Sequence, residues 1–112
     1  LSVRKLAEKM IQISDNTTSN IILDNLGGME TLNTEWQRWG LTDTHINNWL
    51  PDLRGTNVIS MRDMARLLYN LEQPTGWLPE AQKSEMKAIL LGTMNRRLLV
   101  SGVPAGTPVA HK

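Results

Sequence analysis

Cysteine and phenylalanine are both missing from these 112 residues, and aromatic residues amount to only 4%. Without cysteine there is no disulfide and no thiolate site, and the absence fits an oxidising and a reducing compartment equally. Metal-ligating patterns are also lacking. His45 and His111 lie far apart, and no His-x-x-x-His or Glu-x-x-His spacing occurs, so no metal and no cofactor is expected. Charge of one sign is scarce, with 12 Lys and Arg against 11 Asp and Glu. No basic run exists to neutralise a row of phosphates, and Arg96-Arg97 reads as a solvated pair, so nucleic acid is excluded as a partner. Long apolar runs are absent as well: the longest, Ala88 to Leu91, is far too short to span a bilayer. No charged-then-apolar leader opens the chain, so any export signal is expected upstream of Leu1.

What is present is helical periodicity. A hydrophobic content of 40% suffices for one core in a single unit. Ser2 is a good N-cap, and Val3, Leu6, Ala7, Met10 and Ile11 follow on one helical face. Ser14, Asp15 and Asn16 interrupt that helix, and a second carries Ile21, Ile22, Leu23 and Leu26 before Gly27-Gly28 ends it. Met29, Leu32, Trp36 and Trp39 make a third apolar stripe closed by Gly40, and the two tryptophans read as core rather than a base-stacking platform. From Leu41 to Asn57 the period is lost, with Pro51 and Gly55 as breakers, which marks a loop long enough to be functional.

Ser60 restarts a helix, with Asp63 placed for a capping arrangement and Met61, Met64, Ala65, Leu68 and Leu71 as its buried stripe. Pro74 and Gly76 stop it. Pro79 suits a first helical position, Met86, Ile89 and Leu90 mark an inner face ending near Gly92, and a shorter helical stretch is expected from Thr93. Residues 107–112 read as the start of a sheet strand with no partner among helices, so further sequence is expected beyond Lys112, as before Leu1. The fold class is therefore all-α: a compact multi-helix subdomain over residues 1–112, mostly helices and one long loop to 106, closed by a strand fragment.

Ser14-Asp15-Asn16, lying between two amphipathic helices, is the first site candidate. Alone it reads equally as the N-cap of the second helix. In context, the run from Ser14 to Leu23, with Gly27-Gly28 after it and Ser2 to Leu6 before it, resembles the class A β-lactamase and penicillin-binding family. Trp49-Leu50-Pro51-Asp52-Leu53 looks like the family's Ω-loop, and Ser60 with Arg62 to Ala65 looks like the helix after it. Val103 to Gly106 leads to His111-Lys112, where the family carries Lys-Thr-Gly or Lys-Ser-Gly on a sheet strand.

The resemblance implies an active-site serine hydrolase acting on β-lactams or peptidoglycan-like peptides through an acyl-enzyme. Ser14 would relay a proton toward the leaving nitrogen, Asn16 would hold the substrate's side-chain amide, and Lys112 would place positive charge near the substrate carboxylate. Asp15 would accept backbone hydrogen bonds within its loop, and Asn20 would tie the Ω-loop to the second helix. The nucleophile of the family is a serine in a Ser-x-x-Lys motif. Ser2 to Lys5 and Ser84 to Lys87 both fit that string, but the family places its motif several dozen residues before Ser14, beyond Leu1. Both are decoys on this reading, and the chain alone is expected to be inactive.

One position departs from the β-lactamases. Leu50 stands where they carry a glutamate that activates water for deacylation, and a leucine cannot accept a proton. Asp52 is the nearest carboxylate. Slow release of an acyl group would suit a penicillin-binding or carboxypeptidase-like protein. A sensor or scaffold of the same fold with vestigial chemistry, and a free-standing helical interaction module, are the alternatives. The family implies an extracytoplasmic location, and helices shaped to pack on a sheet imply a homodimer or poor solubility for the isolated chain.

Overall fold

The computed structural model describes all 112 residues and contains five α-helices and no sheet. The first, α1, runs Val3–Gln12, with the Ser2 hydroxyl accepting from the Lys5 amide at 3.3 Å. α2 spans Asn16–Asn25 and α3 spans Gly28–Arg38. Gly27 and Gly28 between them sit at φ 96° and 83°, a left-handed pair that reverses the chain at little steric cost. α4 runs Met61–Glu72 and α5 runs Glu80–Leu91, followed by a 3₁₀ turn over Leu99–Gly102. α1 packs against α2 and α5, and α2 against α3.

The loop between α3 and α4 is pinned rather than free. An isolated antiparallel bridge joins His45 to Val58, each amide donating to the other's carbonyl at 2.9 Å. Ser60 caps α4 by accepting from the Asp63 amide at 3.1 Å. Asp63 does not complete the cap. Its carboxylate is fully buried, and Oδ2 accepts from the Asp43 amide and the Thr44 hydroxyl, both at 2.8 Å. It thereby stitches the start of the loop to the first turn of α4. Lys83 is buried too, its ammonium donating to the carbonyls of Gln73 and Pro74, where α4 ends in orphan carbonyls.

Several stripes face water rather than a core. The buried apolar residues are Leu23, Leu41, Leu71 and Ile89, while no residue of α1 is buried and Met61 on α4 is 81% exposed. Leu68 and Met86 are exposed as well. Amphipathic spacing decides which side of a helix is apolar, but coverage needs a second layer. The accessible surface is 7775 Å², against roughly 6,200 Å² for a compact monomer of this mass. The radius of gyration is 14.6 Å, against about 13 Å for a compact chain of this length.

Smaller expectations also shift. Pro79 is the N-cap of α5 and not its first helical residue, because its ψ of 149° is still extended. The helical stretch after Gly92 begins at Leu99 instead of Thr93. Trp39 is half-buried and stacks on Trp77 with centroids 5.4 Å apart, and Trp36 is likewise half-buried. Residues 107–112 form no ladder; the segment docks at His111, with the Thr93 hydroxyl donating to the His111 carbonyl and the His111 amide reaching the Leu90 carbonyl at 3.4 Å.

Candidate active site

The junction of α1 and α2 is where the polar side chains gather. α1 ends at Ile13, and Ser14 follows at φ 56°, a left-handed conformation that costs a non-glycine residue on the order of 1–2 kcal/mol. Strain of this kind persists where neighbouring contacts enforce it. The Asp15 amide donates to the Lys9 carbonyl at 3.2 Å, and the Asp15 carboxylate accepts from the Thr18 amide at 2.9 Å. The Asp15 carbonyl accepts from the hydroxyls of Thr18 and Ser19. Asp15 is thus the cap of α2, and both sides of Ser14 are fixed while its own side chain remains exposed.

Asn16 opens α2 and is exposed, and Asn20 lies one turn later on the same face. The Asn20 amide is fully engaged with the loop backbone: Nδ2 donates to the Leu50 carbonyl at 2.7 Å, and Oδ1 accepts from the Leu50 amide at 2.9 Å. This pair holds Leu50, half-buried and followed by a cis bond to Pro51, beside the start of α2. Trp49 next to it is 44% exposed.

Lys112 comes to the same end of the molecule from the far end of the chain. Its ammonium donates to the Met10 carbonyl in the last turn of α1 at 3.0 Å and makes no hydrogen bond to Ser14. The structure therefore brings Ser14, Asn16, Asn20 and Leu50 around one helix N-terminus, with Lys112 on the helix that precedes it.

Asp52 is occupied elsewhere. Its carboxylate accepts from the Asn57 amide at 2.7 Å and from the Thr56 hydroxyl at 3.1 Å to each oxygen. These hydrogen bonds, the Asn57 amide first, hold its carboxyl below the ordinary carboxylate value. A carboxylate so stabilised in its charged form is a poor proton acceptor. In neither Ser-x-x-Lys string does the lysine ammonium bond to its own serine. Lys5 bonds to Glu8 at 3.1 Å, and Lys87 bonds to Glu72 at 3.0 Å.

Two features of the site escaped sequence reasoning. Nothing in the order of residues marks Ser14 as left-handed. Asn57, whose side chain bonds to the backbone of Asn47 and Asn48, is one asparagine in an asparagine-rich loop, and only its position after Gly55-Thr56 hints at a turn role.

The family profile described as the beta-lactamase enzyme family matches residues 1–112. A beta-lactamase of Bacillus licheniformis is 30% identical over 119 residues, spanning 100% of this chain and 38% of that protein. Among solved structures, a mutant of PBP-A described as an acyl-enzyme complex with penicillin G superposes with a TM-score of 0.93 at 41% identity, covering 100% of this chain and 42% of that one. The beta-lactamase from Desulfarculus baarsii gives 0.82 at 28% identity, covering 95% and 42%. The chain thus spans about two fifths of the relatives it matches. With the profile running from end to end and the helices superposing throughout, this chain belongs to the beta-lactamase enzyme family and forms an all-α helical subdomain of that fold.

Proposed function

We propose that the protein carrying this chain is a serine acyl-transfer hydrolase of β-lactams or peptidoglycan-like peptides, and that it releases its acyl group slowly. The observation that carries this reading is Leu50, clamped through its backbone by Asn20 beside the start of α2 and offering no carboxylate of its own. A water there has no base to take its proton. Asp52, held ionised by Asn57 and Thr56, does not substitute.

The nucleophile on this reading is outside residues 1–112. The Ser2 hydroxyl caps α1, Ser84 is exposed on α5, and the ammonium groups of Lys5 and Lys87 are committed to Glu8 and Glu72 rather than to these serines. Ser14 relays a proton toward the leaving nitrogen. Asn16 holds the substrate's side-chain amide. Lys112 supplies a fixed cation for the substrate carboxylate; the Met10 carbonyl takes one of its three N–H donors and leaves two. The 112-residue chain alone has no acyl-transfer activity. The exposed apolar residues Met61 and Leu68 of α4 are the side that a further layer covers in the whole protein. On this reading the protein works outside the cytoplasm, where cell-wall-like substrates are found. PBP-A, 41% identical, is described as an acyl-enzyme with penicillin G in a leucine-to-glutamate mutant, which makes penicillin G the natural probe.

Intact mass spectrometry of the full-length protein over time after adding penicillin G tests the proposal, with the 112-residue chain as control. A persistent adduct on the full-length protein alone is the expected result. No adduct and no turnover would favour a scaffold that keeps the fold without the chemistry.

A further inference from the structure

The loop that carries Leu50 is closed at its neck by side-chain amides. The Asn57 side chain makes three bonds there: Oδ1 accepts from the amides of Asn47 at 2.7 Å and Asn48 at 2.9 Å, and Nδ2 donates to the Asn48 carbonyl at 3.0 Å. Asn47 answers by donating its own Nδ2 to the Thr56 carbonyl at 2.6 Å. Asn48 is two residues from Leu50, whose amide and carbonyl are held by Asn20 at 2.9 and 2.7 Å. The short path from 48 to 50 is therefore fixed at both ends by side-chain amides, one from within the loop and one from α2.

No ion pair takes part in this closure. Arg54 forms no salt bridge, and the Asp52 carboxylate accepts from the Thr56 hydroxyl and the Asn57 amide. Side-chain amides suit the task because one group supplies an acceptor and donors together. Backbone amides and a carbonyl in a half-buried neck would otherwise need water.

We infer that Asn57 is the positioning residue of the loop: its amide clasp sets where Asn48 to Leu50 sits against Asn20, and so how well the apolar Leu50 keeps water from the acyl group. The second half of that statement rests on the acyl-transfer reading, while the first stands on geometry alone. An unclasped neck leaves the Leu50 backbone with only the Asn20 bonds, and a segment held at one end samples open forms more often. Water then enters the site more freely.

Amide hydrogen exchange by NMR on the full-length protein, together with the lifetime of its penicillin G adduct, decides the matter. In Asn57→Ala, exchange at the amides of Asn47, Asn48 and Leu50 is expected to rise about tenfold or more while the helix interiors keep their protection. Asn57→Asp, which keeps the acceptor and loses the donor to Asn48, is expected to fall between the two. The adduct lifetime is expected to shorten in the same order, by about threefold in Asn57→Ala, as water exclusion weakens. Unchanged exchange at these three amides, or a uniform rise across all helices, would overturn the clasp. A local rise in exchange with an unchanged adduct lifetime would overturn its link to the chemistry. If the unaltered protein forms no adduct, the acyl-transfer reading fails and the exchange pattern still decides whether Asn57 closes the loop.

Discussion

Leu50 shows how one side chain separates two outcomes on a shared scaffold. Its backbone is fixed by Asn20, so a substitution changes the chemistry presented at that point with little change in its position. In Leu50→Glu, a carboxylate would project from the clamped backbone and accept a proton from water. General-base assistance is worth roughly a hundredfold or more. The penicillin G adduct of Leu50→Glu is therefore expected to decay about a hundredfold faster than that of the unaltered protein, with mass spectrometry following the loss. An unchanged lifetime would place the missing base elsewhere. The identity of residue 50 was legible in the sequence, since Trp49 and Pro51 frame it; its fixation by Asn20 came from family resemblance and not from spacing, because thirty residues separate the two.

At the level of elements, the long loop and the α4–α5 turn each depend on one ionisable group. Asp52 titrates below its ordinary value because the Asn57 and Thr56 donors stabilise its charged form. A lowered folded value means that its contribution is fully present above the unfolded pKa and is lost as pH falls through the folded one. The Thr56–Asn57 end of the loop is therefore expected to loosen in acid, below about pH 4. Exchange or chemical shifts of the Thr56 and Asn57 amides against pH would report it, and Asp52→Asn should flatten the profile.

Lys83 does comparable work in the turn from α4 to α5, where it is 1% exposed and serves the carbonyls of Gln73 and Pro74. Lys83→Met keeps much of the volume and strands both acceptors, so urea unfolding of the full-length protein should show a loss of about 1–3 kcal/mol. The turn itself was visible in Pro74 and Gly76. The buried lysine was not, since one lysine among several on a helix looks like a solvated one, and only the approach of the α4 end makes it a cap.

Taken as a whole, the molecule leaves part of its apolar surface uncovered. Its accessible surface of 7775 Å² and its exposed Val3, Met61 and Leu68 describe helices whose apolar residues are only partly covered within the chain. The isolated 112-residue chain is expected to self-associate, and gel filtration over a range of concentrations should show the apparent mass rising with concentration. A sharp monomer peak at all concentrations would show that the exposed faces are tolerated by water without a partner layer.

The order of residues by itself determined the five helices, the breaks between them, and the run of family features from Ser14 to Lys112. These are local properties, set by spacing within one or two turns. Only the tertiary structure decided which stripes are covered, that Asp63 turns from its helix cap to Thr44, that Asn57 clasps the loop, and that Lys112 reaches Met10. Each of those contacts joins residues nine or more positions apart. A polar side chain's role is then set by whichever unpaired backbone group the fold brings within about 3 Å, and periodicity carries no record of that.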